Sequence, residues 1–538
     1  MTHLSLSVTG RLLGAGIACA LLLGYGATPA RADTPKDTLV IADQLDSSIT
    51  MDPAESFEGT SSELMGSIYD RLVRFDPAHP DQPMMDVAKD FKLSPDGKTY
   101  TFTIRPGMKF ASGNPVTAEE AAWSLQRAII LDKSPAFILS QFGFDKDNVK
   151  ERIKATGPMT LTLVTDRAYA PSFVLNCLTA NVGGIVDKNL LLSHEQNGDM
   201  GYGWLKTSSA GSGPMKLREW RANEVMLLER NDTYWGRKAP LARVIYRHVK
   251  ESATQRLLLA KGDIDVALDL DPQDLDALAQ QKGIKTVSTP VGVVYYISLN
   301  QKNPTLAKPE VREAMKWLVD YSAMEATIMK NIGIVNQNFL PQGLLGAVKE
   351  NPYKLDVAKA KALLAKAGCP NGFKVTMDVR SVQPNLGLAE AFQQSAKLAG
   401  IDIELITADG KQVLTKYRAR KHDMMIYNWE CDYWDPHTNA DTFARNPDNA
   451  DDAKSKPLAW RNAWDIPELT RLSDAAVLER DTRKRARMYQ QIQAEFRKNG
   501  PFIMLFQQIA VAGVRSNVEG FKPGVSAGTT YLFNVSKN

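Results

Sequence analysis

From Thr38 onward the chain alternates short apolar runs with amphipathic stretches. Thr38-Leu39-Val40-Ile41-Ala42 predicts an opening strand, and Lys98 to Ile104 alternates polar and apolar residues like a half-buried one after the turn Pro95-Asp96-Gly97. Ser61–Phe75 predicts a helix with Leu64, Ile68, Leu72 and Val73 on one face. Thr117 is placed to cap a second helix, whose first turn carries Glu119 and Glu120 and whose inward face carries Ala121, Ala122, Leu125 and Ile129. The Gly/Ser-rich stretch Gly201–Gly213 marks a boundary or an exposed loop. Strands are expected at Met215–Trp220, Val225–Glu229, Val244–Val249 and Ile264–Leu268, with a helix Thr254–Lys261 stopped by Gly262. Further on, strands Val293–Leu299, Lys374–Val379 and Asp402–Ile406 alternate with helices near Val311–Tyr321, Asp356–Ala367 and Leu388–Ala399. That rhythm predicts an α/β lobe. A basic helix, Asp481–Lys498, leads into the apolar strand Phe502–Phe506.

The first residues follow different rules. Met1–Ala32 holds no acid, Leu12–Gly26 is apolar, and Ala30-Arg31-Ala32 is an A-x-A cleavage site, together a secretory signal peptide. Cleavage would leave Asp33 first. Cys19 lies inside the apolar run, which favours this over a lipoprotein or a membrane anchor. Export permits disulfides, yet only Cys177, Cys369 and Cys431 follow the leader, and no Cys–His pair has zinc-finger spacing. The remaining 500-odd residues can be stabilised by a hydrophobic core, without staples.

Composition narrows the function. The 538 residues are 44% hydrophobic and 23% charged, an ordinary globular mixture with room for three or four structural units. A net charge of +4 gives little support to nucleic-acid binding. No G-x-S-x-G, H-E-x-x-H or phosphate-loop pattern appears, so no enzyme, metal or cofactor is expected. One segment stands apart: Met424 to Tyr427, then Asn428-Trp429-Glu430-Cys431-Asp432-Tyr433-Trp434-Asp435-Pro436. An apolar strand there delivers aromatics and carboxylates into a loop. Asp432 among Trp429, Tyr433 and Trp434 would be partly desolvated and would attract a small cation more strongly than in water, with cation–π attraction added.

Four stretches occur together and in order: Leu93–Phe110 continuing through Ser112–Glu120; Gly211-Ser212-Gly213-Pro214 with Arg230–Trp235; Gly262-Asp263-Ile264-Asp265-Val266; and Leu299-Asn300 with Pro309–Ala314. In these the chain resembles the bacterial extracellular solute-binding proteins of peptide and nickel ABC importers (family 5). The resemblance implies a two-lobed α/β periplasmic binding protein of type II with an extra domain, closing by hinge motion on a ligand between its lobes. It implies lobe I over 33–59, 202–296 and 511–538, the additional domain over 60–201 and lobe II over 297–510, with crossings near Tyr296–Asn300 and Gln507–Gly513. It also implies a dipeptide or short-peptide ligand, an ABC permease partner in the inner membrane, a monomer, a periplasmic location and no catalysis. Trp429–Pro436 fits the family's W-x-x-D-x-x-D-P, which gives Asp432 the ligand's α-ammonium. Arg380-Ser381-Val382-Gln383-Pro384-Asn385 fits R-x-x-x-P-N, which gives Arg380 the α-carboxylate. Val382 and Asn428 depart from the usual aromatic and glycine at those places. Trp429, Tyr433 and Thr60 complete the expected contact set. An opine-like solute, haem or a nickel chelate are alternatives on the same fold, with His437 the histidine nearest the aromatic loop. A secreted hydrolase or a chaperone-like binder of long chains are alternatives of other classes.

Overall fold

The computed structural model describes residues 34–57, 59–77, 79 and 82–538. The leader, Cys19 and the cleavage point before Asp33 lie outside the described residues.

One eleven-stranded sheet runs through the molecule. From one edge its strands are Ile401–Ala408, Phe373–Arg380, Met424–Glu430, Ile284–Leu299, Phe502–Arg515, Val266–Ala267, Thr38–Asp43, Arg243–His248, Val225–Arg230 and Met215–Arg221, with Gly333–Val335 added beside Phe502–Arg515. The fold is mixed α/β in two lobes, and two antiparallel strands of 16 and 14 residues serve both. Their near halves pair Ile284–Pro290 with Arg515–Ile509 in lobe I, and their far halves pair Val294–Ser298 with Gln507–Phe502 in lobe II. Between Pro290 and Val294 the register breaks. Pro290 has no N–H to give to a ladder. Gly292 follows, where a Cβ would come within 3.1 Å of Cys431 and 3.2 Å of Trp434. The break thus falls just before the Tyr296–Asn300 stretch expected to cross.

Each sheet face is covered. In lobe I, Leu39, Ile41, Val244 and Val514 pack with Met65 and Ile68 on one face, while Val40, Ala42, Leu259 and Leu278 pack on the other. In lobe II, Ile297, Met377, Val379 and Ile426 face Val311, Leu364 and Phe392, whereas Tyr296 and Met425 face Phe443, Tyr489 and Phe496. A four-stranded antiparallel sheet, with strands in the order Ala88–Leu93, Thr99–Ile104, Thr160–Val164, Ile153–Gly157, carries its own core with the helix Ala118–Leu131. Thr117 caps that helix in a capping box closed by Glu120.

Three expectations are corrected. The helix expected over Ser61–Phe75 runs Gly59–Ile68 and stops, because the Ile68 carbonyl accepts from Gly213 and the buried Asp70 accepts from Ser212 and Trp235. Val73–Arg74 then pairs with Met84–Met85 as a strand. Ala210–Gly213, in the stretch read as a boundary or exposed loop, is buried; a Cβ on Gly211 would fall 2.0 Å from the Ile68 carbonyl oxygen. The strands seen as Val293–Leu299 and Phe502–Phe506 are the apolar halves of the two long ones, whose other halves are partly exposed.

Candidate functional site

A cleft of about 1210 Å³ lies between the lobes at the register break. Its floor is the two long strands, through Val291, Val293, Tyr295 and Gln508–Val511. Lobe I contributes the C-terminal end of Thr38–Asp43, the first turn of the helix Gly59–Ile68 and the segment Leu268–Asp274. Lobe II contributes Ile328, Gln383–Pro384, Asn428 and Glu430, and Phe521–Thr530 closes one side.

The charge on these walls has one sign. Seven carboxylates line the cleft: Asp43, Asp46, Glu63, Asp269, Asp271, Asp274 and Glu430. Among the described residues no Lys, Arg or His lines it. Asp274 is offset by Arg256 behind it at 2.7 Å. Burial pushes the Asp43 carboxyl well above the ordinary carboxylate range, and Asp269 beside it adds to the rise. Thr60 opposes it, donating to Asp43 Oδ2 at 2.7 Å, as does the Gln44 N–H, which gives to Asp43 at 2.8 Å and to Asp269 at 2.9 Å. One turn along the helix from Thr60, burial and then the charge of Glu430 raise Glu63 to about 7, although Thr530 donates to it at 2.9 Å. Burial, then Glu430 and Asp441, raise Asp432 to about 8. Adjacent desolvated carboxylates resist ionising together, and a cation placed among them relieves that cost.

The expected site residues are distributed by strand parity. Side chains along Met424–Glu430 alternate, so Asn428 and Glu430 face the cleft with Val293 and Tyr295, and Tyr427 and Trp429 face the opposite side. Trp429 packs edge-on to Phe443 at 6.4 Å. Arg380 shares that far side: its guanidinium lies 5.2 Å from the Tyr427 ring centre and donates to the Tyr427 hydroxyl at 3.3 Å. Tyr433 is 4% exposed and packs on Phe173 of the additional domain at 5.8 Å. Asp432 is half-buried just past Glu430, its backbone N–H given to Thr438. Of the expected set only Thr60 lines the cleft; Asp432 adjoins it through Glu430. His437 is a buried core residue against Phe173, its pKa lowered by burial. Asp43, Glu63, Tyr246, Asp269 and Glu430 were not singled out as contacts from the sequence. Only Glu430 had a readable signal: two residues past Asn428, it shares that residue's strand face.

A bilobed molecule with a deep cleft at two crossing strands has the form of an extracellular solute-binding protein. The chain belongs to the bacterial extracellular solute-binding proteins of family 5, matching the family's middle region over residues 82–451. It is 30% identical over 508 residues to a probable D,D-dipeptide-binding periplasmic protein of Escherichia coli, covering 93% of this chain and 94% of that one. It is 23% identical over 472 residues to a dipeptide-binding protein of the same species, covering 84% and 86%. Among solved structures it resembles a periplasmic binding protein of Helicobacter pylori in complex with the peptide STSA, with a TM-score of 0.77, 26% identity and coverage of 93% and 98%. Among the described residues no helix is long and apolar enough to cross a membrane.

Proposed function

We propose that this protein is a periplasmic receptor that captures short peptides by their free amino end and presents them to an inner-membrane ABC permease. It acts as a monomer and leaves the peptide chemically unchanged. The observation that carries the reading is the carboxylate-only cleft in a chain whose relatives bind dipeptides. Glu430 takes the α-ammonium, with Asp432 behind it giving up its proton as the cation arrives and Thr60 contributing a hydroxyl. Trp429 and Tyr433 support this wall from behind rather than touching the ligand, and Arg380 remains on Tyr427. In this reading the leader 1–32 is removed, lobe I is 33–68, 202–290 and 509–538, the additional domain about 69–201 and lobe II 294–507, the helix Gly59–Ile68 going with the lobe I core rather than opening the additional domain at 60 as expected.

Isothermal calorimetry with dipeptides and their N-acetylated forms tests it, with amino-acid release followed in parallel. Binding of the free dipeptide, loss on acetylation and no release are expected. Equal affinity for both forms would remove the amino-end assignment, and release of amino acids would make the protein a hydrolase.

A further inference from the structure

Glu430 and Asp432 account for one cation, yet lobe I brings a second pair of carboxylates, Asp43 and Asp269, to the cleft wall. The Gln44 N–H donates to both, at 2.8 and 2.9 Å, which holds the two carboxylates side by side. Beside them is Tyr246, which lines the cleft while only 2% exposed. Its ring packs in the lobe I core, and its hydroxyl feels Asp43 first and then Glu63. Among the described residues that hydroxyl makes no hydrogen bond. Tyr246 therefore offers an unpaired hydroxyl at the cleft wall, free to accept from a ligand. An ammonium fits: its N–H groups can go to the Tyr246 oxygen and to the two carboxylates at once.

A neutral dipeptide presents a carboxylate as well as an ammonium, and the cleft has little to hold one. Among the described residues no Lys, Arg or His lines it; of the helix N-termini that open on it, that of Gly59–Ile68 is faced by Asp43 through Thr60 and that of Pro272–Ala279 carries Asp271 and Asp274 itself, which leaves that of Asn385–Lys397 for a carboxylate. We propose that the cleft is built for a short peptide carrying a second cationic group, a primary amine of the lysine or ornithine kind, seated on Asp43 and Asp269 beneath the Tyr246 hydroxyl. This rests on the short-peptide reading and adds the side-chain class to it.

The test is calorimetry of the mature protein with Ala-Ala, Lys-Ala, Ala-Lys and the diamine cadaverine, on wild type, Asp43→Asn and Tyr246→Phe. Asp43→Asn keeps an acceptor for Thr60, and Tyr246→Phe removes only the hydroxyl; melting curves show that both fold. The better lysine dipeptide should bind about tenfold or more tighter than Ala-Ala, a preference of one decade. Asp43→Asn should abolish that preference and leave Ala-Ala affinity within about twofold, and Tyr246→Phe should reduce the preference in part. If lysine dipeptides bind no tighter than Ala-Ala, or if both variants keep the preference, the second-cation site is wrong and the peptide receptor stands. If no dipeptide binds but cadaverine binds and Asp43→Asn weakens it, the cation site stands and the peptide reading falls. If nothing binds, both fall.

Discussion

At the residue scale, the cleft collects acids that burial makes reluctant to ionise, and this sets a pH signature. Glu63 is raised from 4.5 to about 7 by burial and by Glu430, and Asp432 from 3.8 to about 8 by burial, Glu430 and Asp441. A group whose folded pKa lies above its unfolded value binds more protons in the folded state. Its stabilising contribution is complete below the unfolded pKa and is lost as pH rises through the folded one. The unliganded protein should therefore lose stability between about pH 4.5 and pH 7 through Glu63. Melting temperatures at pH 5 and pH 8 check this: Glu63→Gln, which cannot ionise, should show a smaller fall than wild type, and equal falls would exclude Glu63 as a source. At the same residues, Glu430→Gln should weaken dipeptides with a free amino end and leave the weak binding of acetylated ones unchanged. Truncating one side of a desolvated charged contact costs on the order of 2–5 kcal/mol, and an isosteric amide facing an open cleft should fall at the low end, about 30-fold in calorimetric affinity. Asp432→Ala should act in the same direction by removing the carboxyl that ionises behind Glu430 when the cation arrives.

At the element scale, the sequence was informative where hydrophobic period and capping agree, and weaker where tertiary contact decides. The helix after Thr117 and the strands from Thr99, Val225 and Ile401 were legible because their buried faces repeat at 3.6 or 2 residues. The ends of Gly59–Ile68 were not, because Gly211–Pro214, more than 140 positions away, terminates it. The half-exposed run Ile284–Pro290 was missed for want of an apolar repeat. The aromatic segment lies beside the cleft through Asn428 and Glu430, but spacing alone could not say that Trp429 and Arg380 face away from it; the register of Met424–Glu430 does. Asp435 shows a related point. Placed by the sequence only in a loop of aromatics and carboxylates, it accepts the His437 N–H and also holds the buried guanidinium of Arg485 through two bonds of 2.8 and 2.7 Å. Both side chains are 1% exposed. Asp435→Ala strands that cation and should cost about 3–5 kcal/mol in denaturant unfolding, whereas Asp435→Ala with Arg485→Met should cost much less. A double variant as unstable as the single would mean that the pair's geometry, not its unpaired charge, carries the effect.

At the scale of the whole molecule, ligand affinity depends on how the lobes meet as well as on the cleft walls. Two strands join the lobes at Pro290–Val294 and Gln507–Ile509, and the buried Gln507 side chain braces the crossing, donating to Val291 at 3.0 Å and accepting from Gln342 at 2.8 Å. Away from that crossing, Tyr433, Val477 and Arg485 rest on the start of the helix Pro171–Leu178. The Ala170 N–H donates to the Val477 carbonyl at 3.1 Å, Arg485 reaches Ser172 at 3.3 Å, and Tyr433 covers Phe173. Opening about the crossing strands would expose that contact to water, so Tyr433 contributes to the closed state without touching ligand. The observed affinity of a closing protein is its intrinsic affinity reduced by the fraction closed. Tyr433→Ser should therefore weaken every ligand by the same factor, about tenfold for each 1.4 kcal/mol taken from the closed state. Glu430→Gln and Asp43→Asn, in contrast, should discriminate among ligands by charge. Calorimetry across neutral and lysine-containing dipeptides separates the two kinds of effect. Small-angle scattering supplies the structural half: saturating ligand should shrink the wild-type radius of gyration, and unliganded Tyr433→Ser should be larger than unliganded wild type. A Tyr433→Ser variant that altered ligand preference while leaving the radius unchanged would place Tyr433 in the binding wall instead of in the closure contact.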